Sequence, residues 1–262
     1  MKFRALLISL VAIVVVLSAC DGDEEPGSAP TPAPAPAESP SPTPSESPTP
    51  EVITGSDCPN EAAAAATGEA ISGSSWAEAG IDGEGEEGEV EIVIDADAPI
   101  DCQVFVVATV DQVTSSNVVE GDIQLELIPP QVRELVDIDG SGAPEVFISV
   151  QAGASTEFGA LFLLDPVRPV TFGDPDRGNG DLIAFGGGVT HLDGAACAPD
   201  ESGTVVISGA GLPGKKYLLE RTFYRLDDDL LVEIRTEESK ETYEGLSRYP
   251  EFAGAPFGNC PG

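Results

Sequence analysis

The sequence predicts an all-β domain, a mainly antiparallel sheet or sandwich, and three observations carry that prediction. Apolar residues alternate with acidic or polar ones over 90–94, over 123–127 and at Val146, Ile148 and Val150, the period of a half-buried strand. Two runs, 103–110 and 158–164, are apolar almost throughout, as in strands covered on both faces. Residues 217–225 and 230–235 flank the acidic turn Asp227-Asp228-Asp229 and read as an antiparallel hairpin.

Taken in chain order, the first element is a leader over 1–19. Lys2 and Arg4 form a positive start, and 5–17 is an apolar run of 13 residues. A bilayer needs about 20 helical residues, so a signal peptide is the better reading. The run ends in Leu17-Ser18-Ala19-Cys20, which resembles the recognition site of bacterial prolipoproteins. That resemblance implies a diacylglyceryl group on the Cys20 thiol, cleavage before Cys20, and anchoring to the outer face of the cytoplasmic membrane. Two acyl chains, at about 0.8 kcal/mol per buried methylene, hold a protein stably where one chain holds it only reversibly.

Residues 20–52 follow as a linker of Pro, Ala, Ser, Thr and Glu, with ten prolines from Pro26 to Pro50 and little to bury. In polyproline II geometry, at about 3.1 Å per residue, that proline-rich stretch reaches on the order of 75 Å. The folded part is expected over 53–262, long enough for one core. Within it, 61–79 is Ala-rich and is expected to hold a short helix, interrupted by Gly68 and Gly73. Residues 204–208 are expected as another strand, and 209–214 as a Gly/Pro turn.

Charge narrows the function. With 46 acids against 12 bases the net charge is −34, and loss of the leader's Lys2 and Arg4 makes it −36. No Lys or Arg occurs from Ala5 to Val132, while 24 acids fall between Asp21 and Val132. Such a surface repels phosphates and anionic headgroups, which argues against nucleic acid as a partner. The scarcity of Lys beside abundant Ala, Gly and Pro resembles the coding bias of GC-rich bacteria.

After Cys20, four cysteines remain: Cys58, Cys102, Cys197 and Cys260. In an exported chain they read as two disulfides with three possible pairings. Cys58–Cys102 with Cys197–Cys260 closes one loop in each half, whereas Cys58–Cys260 would tie the two ends together. No CxxC pair suggests a redox enzyme.

The chemistry is concentrated in LVDIDGSGAPEVFISV, residues 135–150, a strand, an acidic glycine-containing loop and a second strand. Ca²⁺ takes six to eight oxygens at about 2.3–2.6 Å. Asp137, Asp139 and Ser141, at positions 1, 3 and 5, place side-chain oxygens inward, and Gly142 at position 6 permits the sharp turn. Ala143 offers a carbonyl and Glu145 a carboxylate. Ile148 stands at position 12 where an EF-hand needs Glu, so the loop is a shorter, strand-flanked kind. The segment resembles the FG-GAP or VCBS-type repeat, whose loop follows DxDxDGxxD, with Ser141 replacing an acid here. The resemblance implies Ca²⁺ as a structural cofactor. It extends through QAGASTEFGALFLL to exported actinobacterial proteins of similar appearance. The unit occurs once, so one sheet or sandwich carrying one such hairpin is the expected architecture rather than a propeller.

Other motifs are weaker. Gly209-Ala210-Gly211-Leu212-Pro213-Gly214 matches GxGxxG and, with Lys215, nearly a Walker A loop, but Lys216 stands where Ser or Thr is needed and no helix follows. Nucleotide is therefore not expected. His191 is the sole histidine; Asp193 lies nearby, and Ser155 or Ser208 could serve as nucleophile, though no GxSxG elbow accompanies them. Asp174, Asp176, Asn179 and Asp181 suggest a solvated loop with the makings of a second cation site. Trp76, Phe223, Tyr224, Tyr243 and Tyr249 are aromatic residues that either pack the core or line a carbohydrate surface. The sequence thus points to a membrane-anchored extracytoplasmic lipoprotein. It is expected to be a non-enzymatic binding or scaffolding module at the envelope, with a cell-wall or protein ligand. The alternative is a hydrolase of wall polysaccharide or peptide.

Overall fold

A computed structural model of the chain describes residues 52–77, 87–110, 112–120, 123, 125, 129–174 and 181–260. The leader, Cys20 and the linker up to Glu51 lie outside the described residues. Five strands form a first sheet: β1 (Val52–Thr54), β2 (Glu69–Ala77), β3 (Glu87–Ile94), β4 (Val104–Val110) and β5 (Val113–Val118), ordered β1-β5-β4-β3-β2. All pairings are antiparallel except that of β1 with β5.

Strands β3 and β4 show how pattern becomes packing. Val90, Ile92, Val104, Val106 and Ala108 face the second sheet, while Val93, Phe105 and Val107 pack with Ala64 of a short helix, α1 (Glu61–Thr67). The 103–110 run is apolar almost throughout because both faces of its buried part, 104–108, are covered. Buried Glu61 fastens α1 to the sheet, accepting from Gly55 N and Ser56 N at 2.9 Å each and from Ser116 Oγ at 2.8 Å. The Ala-rich stretch divides where its glycine interrupts it. The short helix expected within 61–79 is α1, which stops at Gly68, and the rest of the stretch, Glu69–Ala77, is strand β2. A seven-residue helix is marginal alone, and pairing with β3 outweighs the local Ala propensity.

Ten strands form the second sheet: β6 (Gln131–Val136), β7 (Glu145–Ala152), β8 (Thr156–Leu164), β9 (Val167–Pro169), β10 (Thr171–Phe172), β11 (Ile183–Gly188), β12 (His191–Cys197), β13 (Thr204–Gly211), β14 (Tyr217–Asp227) and β15 (Leu230–Glu241). Its order is β10-β15-β14-β13-β12-β11-β8-β7-β6, with β9 beside β8. Only Val170 separates β9 from β10, which runs parallel to β15, so the pairing returns through this segment to β8 and closes a circuit. Closure removes two edges that would otherwise invite foreign strands.

Strands β7 and β8 form a wall between two cores. Val146, Ile148, Val150, Phe162 and Leu164 face the first sheet. Phe147 and Leu161 face the other way, into a core with Val170, Ile183, Phe185, Val205, Leu231 and Phe257. Phe147 meets Phe185 and Phe257 edge-on at 5.5 and 5.2 Å. The C-terminal segment is pinned by the Cys197–Cys260 disulfide and by Asn259, whose side chain bonds Cys197 N and O at 3.0 and 2.8 Å. The second disulfide is Cys58–Cys102. A short helix, α2 (Tyr243–Leu246), capped by Thr242, packs Leu246 against Ala210, Tyr217 and Leu219.

The β14–β15 hairpin forms as expected, turning at Asp228 with a positive φ of 56°. Two expectations fail locally. Gly209, Ala210 and Gly211 belong to strand β13 rather than to a turn, because β12 and β14 pair with them on both sides. Ile123 and Leu125 lie outside any strand, and the rest of 124–127 falls outside the described residues. Among the described residues no helix is long and apolar enough to cross a membrane.

Candidate metal centre

The loop between β6 and β7 is organised by its own carboxylates. Asp137 Oδ1 accepts from Gly140 N at 2.7 Å and its Oδ2 from Gly142 N at 3.2 Å, while Asp139 Oδ1 accepts from Ser141 N at 2.8 Å. Gly142 has φ +93°, a conformation that glycine adopts freely and other residues rarely do. Ser141 Oγ accepts from Ala143 N at 3.3 Å and lies 3.4 Å from Ala143 O. Glu145, the first residue of β7, reaches back so that Oε2 accepts from Ile138 N at 2.8 Å. Asp139, Ser141 and Ala143 are exposed, Asp137 is half-buried and Glu145 is buried.

Burial pushes the Glu145 carboxyl up from 4.5 to about 7; the Ile138 N–H opposes this, and the charges of Asp139 and Asp137 add to it. No ion pair among the described residues gives Asp137, Asp139 or Glu145 a basic partner. Three carboxylates, a hydroxyl and a carbonyl therefore share one short loop, and burial disfavours the charged form of one of the carboxylates. That donor set fits a hard cation such as Ca²⁺. Among the described residues, however, no three His, Cys, Asp or Glu side chains converge as a ready-made metal group. In this structure the carboxylates are turned onto backbone amides.

The loop rests on the β12–β13 turn. Gly203 N donates to Ile138 O at 3.0 Å, and Ser202 Oγ donates to Asp139 O at 3.4 Å. Between loop and turn lies a cavity of about 360 Å³, lined by Asp137, Gly140, Asp200, Glu201, Ser202 and Asn259. Glu201 is held below its usual range by hydrogen bonds from Arg235 at 2.7 and 3.0 Å.

The remaining sequence candidates are dispersed. His191 Nε2 lies 2.8 Å from Asp193 Oδ1, and burial raises the Asp193 pKa although His191 opposes it. Ser208 is turned away, donating to buried Glu251 Oε1 at 2.9 Å. Asp181 accepts from Phe172 N at 2.7 Å, whereas Asp176 and Asn179 lie outside the described residues. Phe223 lies under Arg235 at 3.7 Å, Tyr249 under Arg221 at 4.9 Å, Tyr224 meets Phe172 edge-on at 5.1 Å, and Tyr243 is exposed. The side chain of Trp76 lies outside the described residues.

Two features escaped the sequence reading. One is a cleft of about 820 Å³ between the layers, lined among others by Asp57, Asp101, Asn117, Glu120, Arg168 and Asp229. Arg168 binds Asp228 and Asp229 at 2.9 and 3.1 Å, which raises its pKa further. The other is the pair of half-buried Arg221 and buried Glu251, 2.7 Å apart. No family model matches the chain, and neither a curated protein nor a solved structure matches it.

Proposed function

We propose that the protein is an extracytoplasmic lipoprotein, anchored through Cys20, that acts as a non-enzymatic binding or scaffolding module at the cell envelope with Ca²⁺ as a structural cofactor. The observation that carries the calcium reading is Glu145: buried, without a basic partner, and beside Asp137 and Asp139. Asp137, Asp139, Ser141, Ala143 and Glu145 would hold the ion, which would supply the missing positive charge. Glu145 opens β7, the strand shared by both cores, and Ile138 touches the β12–β13 turn, so ordering this loop orders two hairpins. A binding role is supported by the cleft between β5 and β9, whose volume of about 820 Å³ is that of a small-ligand site. The anchor rests on the Leu17–Cys20 motif.

Thermal unfolding of the full chain in millimolar CaCl₂ and in chelator tests the calcium reading. A ligand at a hundred times its dissociation constant adds about 2.7 kcal/mol, several degrees in Tm for a domain of this size. The wild-type midpoint should rise with calcium, and that of Asp137→Ala/Asp139→Ala should not move. Equal response of both proteins would place the ion elsewhere, and no response would remove calcium from the reading.

A further inference from the structure

We propose that His191 and Asp193 form a second and chemically different cation site, one for a transition-metal ion of the Zn²⁺ or Cu²⁺ class. The residues stand two apart on β12, so both side chains leave one face of the sheet. Their donor atoms, Nε2 and Oδ1, are 2.8 Å apart. Two atoms each about 2.0–2.2 Å from a tetrahedral Zn²⁺ lie about 3.4 Å from one another, so accepting the ion needs an opening of about 0.6 Å. The imidazole then carries its proton on Nδ1 and leaves Nε2 for the metal. Imidazole with carboxylate suits Zn²⁺ and Cu²⁺, whereas Ca²⁺ takes oxygen alone.

Most of the backbone around the pair is bare, although a Cβ at Gly186 would come within 3.1 Å of Ser155 O. The cross-strand partners of His191 are Gly188 and Gly211, and those of Asp193 are Gly186 and Gly209. A Cβ added at Gly211 would meet nothing within 4 Å, at Gly209 only Asp193 Oδ1 at 3.6 Å, and at Gly188 only Ser155 Oγ at 3.8 Å. An ion on the pair therefore has room for its waters, and the Ser155 hydroxyl borders that space. Gly187 helps to hold β11 in place, with φ +125° and a position where a Cβ would come within 2.3 Å of His191 O. The His191 side chain is 55 % exposed and that of Asp193 15 %, so the ion enters past the imidazole onto a partly covered carboxylate. Two protein ligands leave two positions of a tetrahedral ion for water or for an oxygen of a bound molecule, one more than a site with three protein ligands leaves.

Titration of the full chain with CuCl₂ at neutral pH, in excess CaCl₂ to occupy the acidic surface, tests the site by calorimetry and pulsed EPR. His191 is the sole histidine, so an imidazole nitrogen coupling identifies it. We expect one such ion per chain, with affinity at least about tenfold weaker in Asp193→Asn and no imidazole coupling in His191→Ala. Asp137→Ala/Asp139→Ala should bind copper as the wild type does, which separates this site from the calcium loop. Absence of imidazole coupling in the wild type, or unchanged affinity in His191→Ala, overturns the proposal. If Asp193→Asn fails to fold, His191→Gln, at a mostly exposed position, decides by the same two readouts.

Discussion

Glu145 Oε2 accepts the Ile138 backbone N–H at 2.8 Å and so closes the loop between β6 and β7 on itself. The bond holds a carboxylate in a buried place, where its pKa stands near 7 instead of 4.5. Between those two values the folded chain keeps a proton that the unfolded chain has released. Stability in chelator should therefore fall as pH rises from about 4.5 to about 7, by about 3 kcal/mol, and level off above. Urea unfolding across that range checks it, with Glu145→Gln as the control, since the amide oxygen still accepts from Ile138. Calcium should flatten the wild-type slope. Parallel slopes for wild type and Glu145→Gln would remove Glu145 as the cause.

Arg221 and Glu251 couple β14 to a short 3-10 turn, Pro250–Phe252. The Glu251 side chain is fully covered, accepting from Arg221 Nε at 2.7 Å and Ser208 Oγ at 2.9 Å, and Arg221 is stacked 4.9 Å from the rings of both Phe223 and Tyr249. Removing one partner strands a buried charge. Arg221→Met should cost about 3–5 kcal/mol in chemical unfolding, and adding Glu251→Leu should recover most of it. An additive double variant would show that the pair contributes through packing alone.

What the sequence could reveal follows the range over which each feature is written. The hairpin around 137–144 was legible because its acidic residues, its glycines and its flanking strands lie within one short segment. The 103–110 run was legible as a strand for the same reason. By contrast, β11 and β12 carry IAFGGG and HLDGAAC, in which glycines dilute the alternation, and only neighbouring strands make them extended. Gly209–Gly211 misled in the same way. The pairing of Arg221 with Glu251 spans 30 positions, and the cleft collects residues from Gly55 to Asp229; neither leaves a local signature.

The Cys197–Cys260 disulfide holds the segment that inserts Phe257 into the core beside Phe147. It closes a loop with a sequence separation of 63. In the chain-entropy account such a bridge contributes about 4 kcal/mol. Cys197→Ala/Cys260→Ala should lower Tm by roughly 10 °C in a scan under non-reducing conditions. A shift of about 2 °C or less would mean that Asn259 and Phe257 hold the segment without the bridge.

Anchoring is testable apart from the fold. If Cys20 carries the diacylglyceryl group, the N-terminal peptide of the protein isolated from its own membranes begins at Cys20 and bears the added acyl mass. Two chains make that attachment stable against washing with high salt, because it rests on buried methylenes rather than on charge. The acidic chain would in any case be repelled by an anionic leaflet, so no electrostatic adhesion can imitate it. Mass spectrometry of that peptide should show the modification in the wild type and its loss in Cys20→Ser. A mature N-terminus at another residue, without lipid, would make the protein an ordinary secreted one.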